Sequence, residues 1–191
     1  MKAFYFAITN HSKYIIMHKF IVFFALLLGF FEGISHGADN STFVLKEQDN
    51  GTWTLQVRSS LDAFRKEVKT YFYDCPYKTP EEFSAQVLEH FDNSLKLTVN
   101  NNVHVPLLNG KVKLGHETVV FYQNIKLPKD FDTFFIEGAM FREIFRSKVK
   151  VLILKKEFEK NAFFLSKKNA FTLNLVAKEH KFTLWSEEEE L

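Results

Sequence analysis

Along most of this chain apolar residues recur at every second position, and that period excludes most architectures at once. In residues 52–58, Trp53, Leu55 and Val57 alternate with Thr54, Gln56 and Arg58. In residues 95–99, Leu95, Leu97 and Val99 alternate with Lys96 and Thr98. Successive side chains of a strand point to opposite faces, so such segments bury one face and wet the other. Further strands are predicted over 40–49, 103–108, 111–114, 118–127, 133–137, 149–154, 162–165, 171–176 and 181–185. In 118–127, Val119, Phe121 and Ile125 oppose Val120, Tyr122 and Asn124. Between strands lie Asp49-Asn50-Gly51, Asn100-Asn101-Asn102, Asn109-Gly110 and Pro128-Lys129-Asp130, the residue types of tight turns. Turn signals spaced about 8–12 residues apart describe an antiparallel sandwich or barrel. The expected fold is mainly β, an antiparallel β-sandwich of immunoglobulin-like size.

One interval breaks the period. Ser59-Ser60 opens a helix in which Leu61, Phe64, Val68 and Phe72 fall at helical spacing, with Arg65, Lys66, Glu67 and Lys69 around them. Pro76 ends it. Thr79-Pro80-Glu81-Glu82 then starts a second helix: Thr79 caps it, Pro80 takes its first position and Glu82 completes a capping box. Phe83, Val87, Leu88 and Phe91 form its apolar face, and Asp92-Asn93 close it. These two helices are an insertion after the second strand, covering an end or a face of the sheets. A short third helix is expected over 139–146, with Met140, Phe141, Ile144 and Phe145 inward.

Upstream of the strands, residues 20–31 (FIVFFALLLGFF) follow Lys19 and precede Gly33, Ser35, Gly37 and Ala38. A basic region, an apolar run of about 7–15 residues and small residues at a cleavage site make a secretory signal. A spanning helix needs about 20 apolar residues, so this run is short for an anchor. Met17-His18-Lys19 has the form of a start, and residues 1–16 read as an extension ahead of it. The expected organisation is a signal over 1–37, a single β-rich domain over 38–186 and a solvated acidic tail over 187–191. The expected location is outside the cytoplasmic membrane, with membrane contact only through the signal segment. A membrane-tethered protein that keeps this segment is the rival.

Removing the signal changes the charge. Of 25 Lys and Arg and 23 Asp and Glu, residues 1–37 hold Lys2, Lys13, Lys19 and Glu32, which leaves 22 of each. A neutral chain with dispersed charges lacks the clustered basic face that nucleic acid requires. Cys75, the one cysteine, has no internal partner, so the core must supply the stability. In Asp74-Cys75-Pro76 it is expected as a small, partly buried turn residue.

The order of these features resembles a family of small exported bacterial proteins catalogued as a domain of unknown function. The similarity runs over about residues 42–176. It rests on Val57-Arg58, the helix opening Leu61-Asp62-Ala63, the strand Leu95-Lys96-Leu97-Thr98-Val99-Asn100 and Leu114-Gly115-His116-Glu117 before Phe121-Tyr122. The resemblance implies a sandwich with a helical insertion and assigns no activity. Family members tend to carry an acidic pair opening the first helix and a Gln-Asn pair after the short helix. This chain has Ser59-Ser60-Leu61-Asp62 and Arg146-Ser147-Lys148 there, so no site is carried over from those residues.

Catalytic chemistry finds little footing. Downstream of the signal, His90, His104, His116 and His180 form no i,i+4 pair and no HExxH. His104 and His116 are the candidate metal ligands, brought together across a hairpin centred on Asn109-Gly110. Two ligands fall short of the three or four that zinc takes. His116 and Glu117 are neighbours on a strand and point apart. No GxSxG and no glycine-rich phosphate loop occurs, and no cofactor is expected. The leading reading is an exported non-enzymatic binding domain whose partner is an unidentified envelope or extracellular protein or ligand. The rival is an exported metal-dependent or hydrolytic enzyme using His104, His116 and Glu117. Trp53, Tyr71, Tyr73 and Tyr77 are the candidate partner surface, where aromatics coincide with the irregular backbone of residues 71–77. The ordinary alternative is that these rings pack where the helices meet the sheet.

Overall fold

Strand alternation builds two sheets, and the helical insertion closes one end between them. The computed structural model describes residues 41–144 and 147–185, which belong to one compact unit. The apolar run at 20–31 expected to be a signal, the acidic stretch at 187–190 and Phe145 lie outside the described residues.

β1 (Ser41–Glu47) and β2 (Trp53–Ser60) form a hairpin that sets Phe43 against Val57 and Leu45 against Leu55. Its turn places Gly51 at φ 77°, in the left-handed region glycine enters without steric cost. These strands are the centre of a six-stranded sheet, β5-β6-β2-β1-β8-β9. The others are β5 (Lys111–Lys113), β6 (Glu117–Ile125), β8 (Lys148–Leu154) and β9 (Ala162–Ser166). The second sheet is ordered β11-β10-β7-β3-β4. It comprises β3 (Leu95–Val99), β4 (Val103–His104), β7 (Thr133–Gly138), β10 (Thr172–Lys178) and β11 (Lys181–Leu184). Phe43, Leu45, Leu55 and Val57 of one sheet share a fully buried core with Leu97, Val99, Phe134, Ile136 and Leu175 of the other. A β-sandwich results, as the alternation implies.

Four local expectations change. The sandwich is antiparallel except at one ladder: β8 runs parallel to β1, with Val151 beside Phe43. β8 arrives from the other sheet through the turns after β7, so no hairpin dictates its direction. The strand expected over 103–108 is two residues long. Val105 still donates its N–H to the Leu97 carbonyl, and then Pro106, which has no N–H, ends the pairing. Ile125 lies on the buried face with Val120 and Tyr122 rather than with Val119 and Phe121. The cause is a bulge: Trp53 pairs with Ile125 but Leu55 with Tyr122, and Asn124 takes up the extra residue at φ 58°.

The fourth is the short helix expected over 139–146, whose described residues 139–144 form a run of turns instead. Arg142, Ile144 and Ser147 each donate to a carbonyl three residues back, and Phe141 sits at φ 61°, outside helical space. Met140 and Phe141 are nonetheless buried, as the apolar pattern requires.

α1 (Leu61–Tyr71) follows β2 directly, and α2 (Pro80–Ser94) runs directly into β3. Ser60 Oγ accepts from the Ala63 N–H at the start of α1. At α2 the capping box is complete: Thr79 Oγ1 accepts from Glu82 N–H at 3.2 Å, and Glu82 Oε2 accepts from Thr79 N–H at 3.3 Å. The pair thus carries the chain from one sheet to the other. Phe64 and Phe91 stack beneath it at 5.8 Å, and Phe141 meets Phe64 edge-on at 5.2 Å. No helix among the described residues is long and apolar enough to cross a membrane.

Candidate functional site: the α1–α2 connection

The connection after α1 is held by few bonds. Phe72 donates its N–H to the Val68 carbonyl, Cys75 donates its N–H to the Phe72 carbonyl, and Gln86 Nε2 reaches back from α2 to the Cys75 carbonyl at 2.6 Å. This clamp leaves a groove of about 560 Å³ between α1, the connection and α2. Val68 is its buried floor, and Phe72, Tyr73, Pro76 and Tyr77 give it apolar walls. Arg65 and Lys69, one helical turn apart on α1, are its cationic rim.

The four candidate aromatics separate. Tyr73 is 80% exposed, Tyr71 is 40% exposed, and Tyr77 is half-buried with its ring 4.7 Å from that of Phe83. Tyr73 and Tyr77 line the groove. Trp53 does not belong with them. It is 3% exposed at the opposite end of β2, edge-on to Phe131 at 6.0 Å, so its place on the partner surface is corrected to the core. Its position in the inward series with Leu55 and Val57 is the physical reason. Cys75, expected partly buried, is exposed.

Tyr71 faces a different neighbourhood. Its ring lies 4.1 Å from that of His90, whose Nε2 is 2.9 Å from Glu67 Oε2. Glu67 is 1% exposed and His90 4%. Glu67 Oε1 has no hydrogen-bond partner among the described residues. Burial, followed by the Glu67 charge, holds the Tyr71 hydroxyl above its ordinary pKa, while nearby Arg142 pulls the other way. This buried pair is absent from the sequence-based site. A signal for half of it exists: His90 falls seven residues after Phe83 and three after Val87, on the apolar stripe of α2.

The two candidate metal ligands fall in different sheets. His104 ends β4 in the five-stranded sheet, and His116 precedes β6 in the six-stranded sheet. The hairpin expected around Asn109-Gly110 does not form, since the strands flanking it enter different sheets. The His116 carbonyl accepts from the Leu61 N–H, and Glu117 reaches Arg58 at 3.4 Å. Among the described residues, no group of three or more His, Cys, Asp or Glu side chains is arranged to hold a metal ion.

No family model, no curated protein and no solved structure matches the chain. The functional reading therefore rests on its own residues.

Proposed function

We propose that this is an exported, non-enzymatic binding domain whose partner-facing surface is the α1–α2 connection, in keeping with the resemblance to small exported bacterial proteins. The observation that carries it is Tyr73, 80% exposed beside a groove walled by Phe72, Pro76 and Tyr77. Apolar rings collected around a concavity are costly to leave wet and are characteristic of interaction sites. The apolar run at 20–31 supports export.

Two measurements test the reading. Intact mass of the secreted protein should correspond to a chain lacking residues 20–31, and a mass retaining them defeats the export claim. A photocrosslinking side chain placed at position 73 should give a discrete partner adduct in envelope or culture fractions. The same side chain at Lys150, exposed on β8, should not. Equal labelling from both positions, or adducts from neither, removes the connection as the binding surface.

A further inference from the structure

We infer that the groove takes an acidic peptide segment of a partner protein, one apolar side chain seated between Tyr73, Tyr77 and Val68 with its flanking carboxylates on Arg65 and Lys69. This inference rests on the reading of the connection as a binding surface and supplies the chemistry of its partner.

Charge complementarity carries the assignment. Both charged side chains lining the groove are cations, and none of the described residues lining it is acidic. Arg65 meets Asp62 at 3.5 Å through exposed side chains, the kind of contact a ligand carboxylate readily displaces. Apolar walls on one side and a cationic pair on the other match an amphipathic anion. The groove is half open to solvent: Val68 is its buried floor, while Arg65, Lys69, Tyr73 and Pro76 stand exposed around it. A small-molecule site encloses most of its ligand, whereas an open trough accommodates a segment that passes through. Gln86 is fixed in the wall by the bond from its Nε2 to the Cys75 carbonyl. Asp74, Glu81 and Glu82, neighbours of the groove residues in sequence, are exposed and disfavour a broad anionic surface such as a membrane.

The test is selection of a displayed random-peptide library on the full exported protein, followed by binding of the enriched peptides to parent, Lys69→Glu and Tyr73→Ala. Circular dichroism and melting of both variants should match the parent, because both side chains are exposed. Enriched peptides should carry a large apolar residue flanked by Asp or Glu. Their affinity should fall about tenfold with each substitution and weaken as salt is raised. Neutral or basic peptides that still depend on Tyr73 overturn the acidic class and leave the connection as a binding surface. Peptides indifferent to Tyr73→Ala overturn both. No enrichment, binding to phosphatidylglycerol vesicles in place of peptides, or self-association abolished by Tyr73→Ala each overturn the inference.

Discussion

The two ends of the sandwich are closed in different ways. At one end Phe131 sits among Trp53, Phe134 and Phe182 at ring distances near 6 Å (6.0, 5.9 and 6.0 Å), with Phe158 5.1 Å from Phe182. The Lys155 ammonium lies over these rings, 4.7 Å from Phe131 and 4.5 Å from Phe158. At the other end, α1 and α2 form the lid, and an ionisable pair is buried inside it. The first end is sealed by area alone. The second depends on two groups keeping each other satisfied, and it also carries the exposed tyrosines. A lid fixed by polar pairing and a few loop bonds can present a groove, whereas a plug of interlocked rings has no surface to spare.

Breaking the polar pair should loosen the lid. Glu67→Ala leaves the buried His90 ring beside Tyr71 and Phe91 without its 2.9 Å partner, and stranding a buried polar group costs about 1–3 kcal/mol. Urea unfolding should register that loss. Replacing both residues by leucine should recover most of it, since matched apolar side chains often equal a buried pair. If the single and double variants unfold together, the pair is not what holds the lid. Phe182→Leu at the ring-packed end keeps an apolar group among apolar neighbours and should cost less than Glu67→Ala.

The same contrast explains what was legible in the sequence. Period-two alternation located nearly every strand, and Thr79-Pro80-Glu81-Glu82 placed the start of α2 to the residue. These are local signals, written within a few positions. The parallel β1–β8 ladder is not local, and neither is the separation of His104 from His116 into different sheets. Nor does a two-residue period survive the bulge at Asn124, which moves Ile125 to the other face. For Glu67 the sequence was misleading. Its charge argues for solvent, and only His90, twenty-three residues on, makes its burial tolerable. Tyr71, Tyr73 and Tyr77 were grouped because irregular backbone and aromatics coincide in sequence; Tyr73 and Tyr77 line the groove, whereas Tyr71 lies against His90. Trp53 was grouped with them on side-chain type alone.

A second break falls at the joint between lid and sheet. Gly110 follows β4 and packs so closely that a Cβ would stand 2.6 Å from Tyr122 Cε1 and 2.8 Å from Leu88 Cδ2. Leu88 on α2 can move, but the buried Tyr122 ring on β6 cannot. Gly110→Ala should therefore cost about 1–3 kcal/mol, read as a lower thermal midpoint. An unchanged midpoint would show that α2 is free to shift on the sheet. Tyr122 itself gives a smaller and pH-dependent effect. Its hydroxyl donates to Asp92 Oδ1 at 3.2 Å, a bond worth about 1 kcal/mol at neutral pH. Burial, and then the Asp92 charge, raise its pKa in the folded state. The neutral phenol is thus favoured by folding, and its contribution is whole below the ordinary tyrosine value of about 10 and is lost as pH climbs beyond it. Tyr122→Phe should be slightly less stable at neutral pH, and its melting point should fall less steeply above about pH 10.

The smallest effect on stability belongs to the residue with the largest expected effect on binding. Tyr73 is 80% exposed and contributes little to the core, so Tyr73→Ala should change unfolding free energy by no more than about 0.5 kcal/mol. The corresponding change at Trp53, an aromatic from the same sequence-based set, empties a packed position and should cost about 3–5 kcal/mol. Measured side by side in urea, the two substitutions separate a ring that closes the sandwich from a ring that faces a partner. Equal losses would mean that Tyr73 packs in solution and that the groove is filled by the chain's own side chain, which would remove the surface on which the proposed binding depends.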